Sequence, residues 1–388
     1  MTTPLRAVHT IHSGGFYGAE RVVLDLMGRQ AVRGVVAPTL IDFVDVGQDE
    51  SELGARVRRT SAPVMRLSTT RGISISSLRA YAQLIATLRP DVVHSHGYKP
   101  TVFHQITRLL GMHDVPLVVT AHGYSLTAPS LKEKLYEHLD VWMLTRADAV
   151  VAVSDAMERY LNRASPRIAI RTIPNGIETE LALTGDKPLT TFLANVMPAE
   201  FGAGAAEPRP VVIGSAGRLV PMKNHTLLID AYAELARRGI HCVLVILGDG
   251  PLRDDLASQW RRQIPGTDPM LVPHQERVLD WVQEMDIFCM PSGPGEGLPM
   301  SLLEAGLLGR AVVCTDSGGI ADLIRTGENG ILVKMGDRDA LVSGLETLVA
   351  DSAKRVRFGE TLRNTIVRQH DVAVVEEQYA DVYRSVVR

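Results

Sequence analysis

The chain has 388 residues, 45% of them apolar and 22% charged, which excludes disorder and asks for two cores of ordinary size rather than one. A net charge of −3 gives no sign of a nucleic-acid partner, and no window approaches the roughly 18 uncharged apolar residues of a spanning helix. Three cysteines, Cys242, Cys289 and Cys314, lack CxxC or metal-ligand spacing and read as small core residues of a reducing compartment.

In chain order, "RAVHTIH" (6–12) reads as a first strand, and no signal-peptide core precedes it, so a cytoplasmic location is expected. Ala19, Val22, Val23, Leu26 and Met27 then fall on one helical face. "TLIDFV" (39–44) is the next strand. Between Leu53 and Pro90 lie seven arginines and no acidic residue, either a solvated face or a surface for lipid headgroups or phosphorylated substrates. Leu78, Tyr81, Ala82, Ile85 and Leu88 make a second helical stripe, followed by the strands "DVVHSH" (91–96), "PLVVTAH" (116–122) and "AVVAVS" (149–154). Residues 185–210, rich in Pro, Gly and Ala, form a linker with an extra loop. The pattern then restarts with "VVIGSAG" (211–217), "CVLVILGDG" (242–250), "DIFCMPSG" (286–293) and "AVVCTD" (311–316), each followed by a helical stretch. Val375, Tyr379, Val382, Tyr383 and Val386 mark a terminal helix that could cross back onto the first domain. Repeated βα units predict two doubly wound α/β domains, 1–184 and 211–370, with ligand in a cleft beyond the strand C-termini.

The loops after strands therefore matter most. "HSGGFYGAERVV" (12–23) brings Gly14, Gly15 and Gly18 to a helix start, where free N–H groups suit an anion, although any βα turn uses glycine. "GSAGRLVPMKN" (214–224) carries Arg218 and Lys223, two cations able to converge on a diphosphate or simply to sit at the surface. "PSGPGEGLPMSLLEAGLLG" (291–309) holds Glu296 in a tight loop and Glu304 in an apolar helix beginning near Pro299. A buried carboxylate needs donors, and either a sugar diol or a structural cation supplies them. His94, His96 and His122 end strands of the first domain; metal binding by His94 and His96 lacks an identified third ligand. The "DRD" at 337–339 reads as a helix cap at Asp337 rather than a metal motif.

The order of "GRLVPMKN", "GDGPLR", "GEGLPMSLLEAGLLG", "TDSGGIAD" and "GENGILV", with "GGFYGAE", "TAHGY", "VAVSDAM" and "IPNGI" before them, resembles glycosyltransferase family four nearly end to end. The resemblance implies a GT-B fold, two Rossmann-like domains facing a central cleft. The first would bind acceptor, with a helix of about 371–388 packed back on it, and the second would bind a nucleotide sugar. It implies a retaining transferase moving sugar from a UDP- or GDP-sugar to a glycan, lipid-linked saccharide or glycolipid, with no metal and no cofactor. Arg218 and Lys223 would hold the diphosphate, Glu304 the ribose hydroxyls, and Glu296, Gly297 and Leu298 the donor sugar and phosphate. Gly15 and Gly18 would close over the phosphates, His122 would meet the sugar near its reacting carbon, and Val272 and His274 would lie by the base.

Three positions depart from the family pattern: Asp322 for glutamate, Ala311 for proline, and Pro273 where a glycine often helps bind the base. Arg56, Arg58, Arg59, Arg66 and Arg71 suggest docking at the inner membrane face. The rival readings are a UDP-sugar epimerase of the same fold and a non-catalytic GT-B-like binding protein. An NAD-dependent oxidoreductase is disfavoured because no strand–GxGxxG–helix unit appears.

Overall fold

A computed structural model describes residues 3–70, 72–123, 141–166, 168–180 and 209–387. Most of the expected linker, and Arg71, lie outside the described residues. Two compact units emerge, one of residues 1–178 with 370–388, the other of residues 179–369.

The first unit is a seven-stranded parallel sheet ordered β3-β2-β1-β4-β5-β6-β7. Its strands are β1 (Leu5–His12), β2 (Val36–Asp45), β3 (Val64–Thr69), β4 (Val92–His96), β5 (Leu117–Ala121), β6 (Ala149–Ala152) and β7 (Ile170–Thr172). The second unit is a six-stranded parallel sheet ordered β10-β9-β8-β11-β12-β13. It contains β8 (Val211–Ala216), β9 (Cys242–Leu247), β10 (Leu271–Val272), β11 (Ile287–Met290), β12 (Ala311–Thr315) and β13 (Ile331–Val333). Strand order reverses beside β1 and β4 in one sheet and beside β8 and β11 in the other, which opens a crevice at the strand C-termini of each. Both units are doubly wound, as expected.

Central strands are continuous apolar runs because helices cover both sheet faces; β9, β11 and β12 are buried throughout. All three cysteines are free and buried, with Cys289 on β11 and Cys314 on β12 one residue out of register. One face of the first sheet packs Phe43, Tyr81 and Phe103 with Leu117 and Val150. The opposite face receives the helix Gly18–Arg33 and the terminal helix Val372–Val386, whose Val375, Tyr379, Val382 and Tyr383 bury against Ala7, Val92 and Val118. The terminal stripe read from sequence thus belongs to the first unit. The chain re-enters beside its point of exit: Ile177 N–H donates to the His370 carbonyl at 2.8 Å and Val372 N–H to the Ile177 carbonyl at 3.0 Å. Asp337 caps the helix Arg338–Ala350 by accepting from Ala340 N–H at 2.9 Å. Among the described residues, no helix is long and apolar enough to cross a membrane.

Candidate functional site

In the second unit, five loops after β8, β9, β10, β11 and β12 are knitted together. Leu219 N–H donates to the Asp249 carbonyl at 2.9 Å, and His274 N–H donates to the Asp249 carboxylate at 2.7 Å. Val272 accepts from Gly248 N–H at 2.9 Å. The loop after β11 is held from two sides: Gly293 N–H donates to the Met222 carbonyl at 2.7 Å, and Gly319 N–H donates to the Gly297 carbonyl at 3.1 Å. Ser317 Oγ also donates to the Gly293 carbonyl. Gly318, at φ +51°, lies against the Glu296 carbonyl, where a Cβ would collide with backbone.

Lys223 Nζ meets Glu296 Oε2 at 2.8 Å, and Ser292 Oγ donates to the same oxygen at 3.0 Å. The two side chains are only 14% and 8% exposed, so the cation offsets the desolvation of a buried carboxylate. The Lys223 stem lies alongside Gly217. The pair spans the loops after β8 and β11, at the reversal of strand order. Arg218 is exposed on the same loop as Lys223. Pro299 precedes the helix Met300–Leu307; Leu298 is buried before it and Glu304 is buried on its second turn. Glu296 and Lys223, whose expected roles are separate, are thus partners in the fold.

The first unit holds the remaining candidates. Gly15 lies against the Tyr17 ring, and its carbonyl accepts from Ser13 Oγ at 2.5 Å. Gly18 opens the following helix, where Glu20 Oε2 accepts from Tyr17 N–H at 3.0 Å. His122 follows β5 and is not isolated. Its Nε2 lies 3.0 Å from His96 Nδ1, His96 Nε2 lies 3.1 Å from His9 Nδ1, and His9 Nε2 lies 2.9 Å from Gln30 Oε1. Beside this row, His94 Nδ1 meets the Tyr383 hydroxyl and His94 Nε2 the Thr120 hydroxyl, both at 2.7 Å. Tyr379 reaches Thr120 at 3.1 Å. Burial lowers the pKa of His9 and of His122 to about 4 and pushes His94 and His96 well below the usual value, so these rings are neutral at pH 7.

His9, His94 and His96 bring ring nitrogens within 4.8 Å of one another, supplying the third histidine that the sequence reading lacked. The signal for His9 was present as a histidine in each of three neighbouring apolar strands. The hydrogen bonds already account for every ring nitrogen of these three residues.

The basic span differs from its sequence reading. Arg56 pairs with Glu52 at 2.6 Å, Arg58 with Glu50 at 2.5 Å and Arg66 with Asp49 at 3.3 Å. Acidic residues just before the span oppose it, so Arg56, Arg58 and Arg66 are not part of an uncompensated cationic face. The reason for expecting membrane docking there is correspondingly weakened.

Comparison with known proteins decides the family. The profile described as Glycosyl transferases group 1 matches residues 197–365, and that described as Glycosyltransferase Family 4 matches residues 16–181. The chain belongs to glycosyltransferase family four. It is 29% identical over 320 residues to alpha-maltose-1-phosphate synthase of Mycobacterium tuberculosis, covering 76% of this chain and 79% of that protein. It is 23% identical to the UDP-Gal:alpha-D-GlcNAc-diphosphoundecaprenol alpha-1,3-galactosyltransferase of Escherichia coli, covering 81% and 80%. Among solved structures, Anabaena Alr3699/HepE in complex with UDP superposes with a TM-score of 0.82 at 20% identity, covering 98% of this chain and all of that one, a likeness of fold. The glycosyltransferase therefore has the GT-B fold and is a nucleotide-sugar-dependent enzyme. The epimerase and scaffold readings fall with that assignment.

Proposed function

We propose that this glycosyltransferase moves a sugar, with retention of anomeric configuration, from a UDP- or GDP-sugar to a glycan, lipid-linked saccharide or glycolipid. The observation that carries this reading is the Lys223–Glu296 pair beside Arg218 at the reversal of strand order in the second sheet. An ammonium has three donors, and Glu296 uses one of them, so Lys223 keeps hydrogen-bonding capacity for a phosphate. Arg218 adds a planar fork. Charge developing on a departing diphosphate is received by these two cations, which is why a metal-independent reaction is proposed.

Glu304 accepts from the ribose diol, Glu296 from hydroxyls of the donor sugar, and Gly297 and Leu298 complete the sugar and phosphate contacts. Val272 and His274 flank the base. In the first unit, Gly15 and Gly18 meet the donor phosphates and His122 meets a sugar hydroxyl. The acceptor attacks the face from which the diphosphate leaves, and a phosphate oxygen takes its proton, so no separate nucleophile and base are required. A UDP-sugar donor is supported by the name of the E. coli relative, and so is a lipid-linked acceptor. Such an acceptor would place the enzyme at the cytoplasmic membrane face.

The test is proton NMR of the protein with UDP-glucose, UDP-galactose and GDP-mannose in EDTA, following slow donor hydrolysis. One donor should release its sugar first as the anomer it carried. Release of the opposite anomer, or turnover only after a divalent cation is restored, would contradict the proposal.

A further inference from the structure

The polar row in the first unit runs across three neighbouring, largely buried strands. His9 lies on β1, His94 and His96 on β4, and Thr120 on β5, with His122 just beyond it. In the sheet register His9 stands opposite His94, and His96 opposite Thr120. Helices Gly18–Arg33 and Val372–Val386 meet this face with Gln30, Tyr379 and Tyr383.

A neutral imidazole has one donor nitrogen and one acceptor nitrogen, so a chain of neutral rings can point in only one direction. Gln30 sets that direction. Its carbonyl oxygen faces His9 Nε2 at 2.9 Å, while its amide nitrogen lies 3.5 Å from the Tyr383 hydroxyl. His9 therefore donates from Nε2 and accepts at Nδ1. His96 must then donate to it from Nε2 and accept at its own Nδ1, which obliges His122 to donate from Nε2. The remaining nitrogen, His122 Nδ1, is buried and has no partner among the described residues.

We propose that Gln30, His9 and His96 are positioning residues: a one-directional relay that locks His122 in its Nε2-protonated tautomer and presents its Nδ1 lone pair as an acceptor for a sugar hydroxyl. The acceptor role rests on the proposed function of His122; the tautomer does not. The hydroxyl donates, the lone pair accepts, and no covalent bond changes. Specificity follows from chemistry: a sugar bearing a hydroxyl at that point gains a bond, and its deoxy analogue leaves a buried acceptor unsatisfied.

Long-range proton–nitrogen NMR of the full chain labelled at histidine, assigned through single-histidine substitutions, reads the tautomers directly. His9, His96 and His122 should each carry the proton on Nε2. A proton on His122 Nδ1 would overturn the relay whatever the enzyme's activity. So would one bound metal ion per chain, with loss of the His9–His96 hydrogen bond. Gln30→Met should give His122 mixed tautomers and lower kcat about tenfold, the size of one lost hydrogen bond, with UDP affinity unchanged. Mixed tautomers with unaltered kcat would leave the relay standing and remove His122 from the reaction. If Gln30→Met does not fold, the wild-type spectra still decide.

Discussion

The two units share one sheet topology and solve opposite problems at the same place in it. In the second unit the reversal of strand order is occupied by charge, with Lys223 against Glu296 and Arg218 nearby. In the first, neutral rings and hydroxyls bridge β1, β4 and β5 and include His9, His96 and Thr120. An ion pair on glycine-rich loops suits an anion whose charge grows during reaction. A neutral network of fixed direction suits hydroxyls, which need donors and acceptors in defined places. The fold supplies the crevice, and the side chains around it supply the chemistry.

The comparison is broken most severely at Lys223. Lys223→Met should lower transfer about 10²- to 10³-fold, as loss of a leaving-group donor does elsewhere. It also leaves Glu296 buried without its cation, at about 3 kcal/mol of stability; adding Glu296→Gln should restore the unfolding midpoint but not the activity. In the first unit, Tyr383→Ala empties a fully buried site and should cost about 3–5 kcal/mol in denaturant unfolding. Tyr383→Phe, which removes only the hydroxyl shared by His94 Nδ1 and the Gln30 amide, should cost about 1 kcal/mol.

Acid separates the units next. His9 and His122 have folded pKa values near 4 against 6.5 when unfolded, because burial disfavours the charged ring. Below pH 6.5 the unfolded chain therefore binds more protons, so stability is full above about pH 7 and falls as pH drops toward 4. At pH 5 each such histidine should cost on the order of 1–2 kcal/mol. Among the described residues the second unit has one buried histidine of this kind, His225, lowered to about 3, whereas the first has His9, His94, His96, His104 and His122. Hydrogen exchange at pH 5.5 should accordingly show β1, β4 and β5 losing protection before β11 and β12. Equal loss in both sheets would remove the contrast. The smallest effect belongs to the basic span: Arg56→Ala should shift stability by about 0.5 kcal/mol or less and leave binding to anionic vesicles unchanged.

Legibility in the sequence followed burial. Strands at the middle of each sheet were visible as continuous apolar runs, because both of their faces are covered. The strands passed over, β3, β7, β10 and β13, are the outermost ones of the two sheets. They are short or half-exposed, as "VMRLST" and "IRT" illustrate, and carry no unbroken apolar signal. Among the candidate residues, Arg218, Lys223 and Glu296 stand out in the sequence because glycine-rich loops after strands carry them, and Glu304 because it is a carboxylate in an apolar helix. Gln30 and Tyr383 were not: each reads as an ordinary helix position until folding brings residues 353 positions apart to the same histidine row. The pairing of Arg56, Arg58 and Arg66 is not visible in the span's own sequence, since their partners Glu52, Glu50 and Asp49 precede the stretch over which charge is counted.

One measurement reaches the central claim, that the nucleotide diphosphate is held by Lys223 and Glu304 of the second unit and not by the histidine row of the first. UDP and GDP would be titrated calorimetrically in EDTA into the wild type, Glu304→Ala, Lys223→Met and His122→Ala. One nucleotide should bind, at least tenfold more weakly to Glu304→Ala and Lys223→Met and with unchanged affinity to His122→Ala. Nucleotide binding that depends on His122 and tolerates the loss of Lys223 and Glu304 would contradict the account.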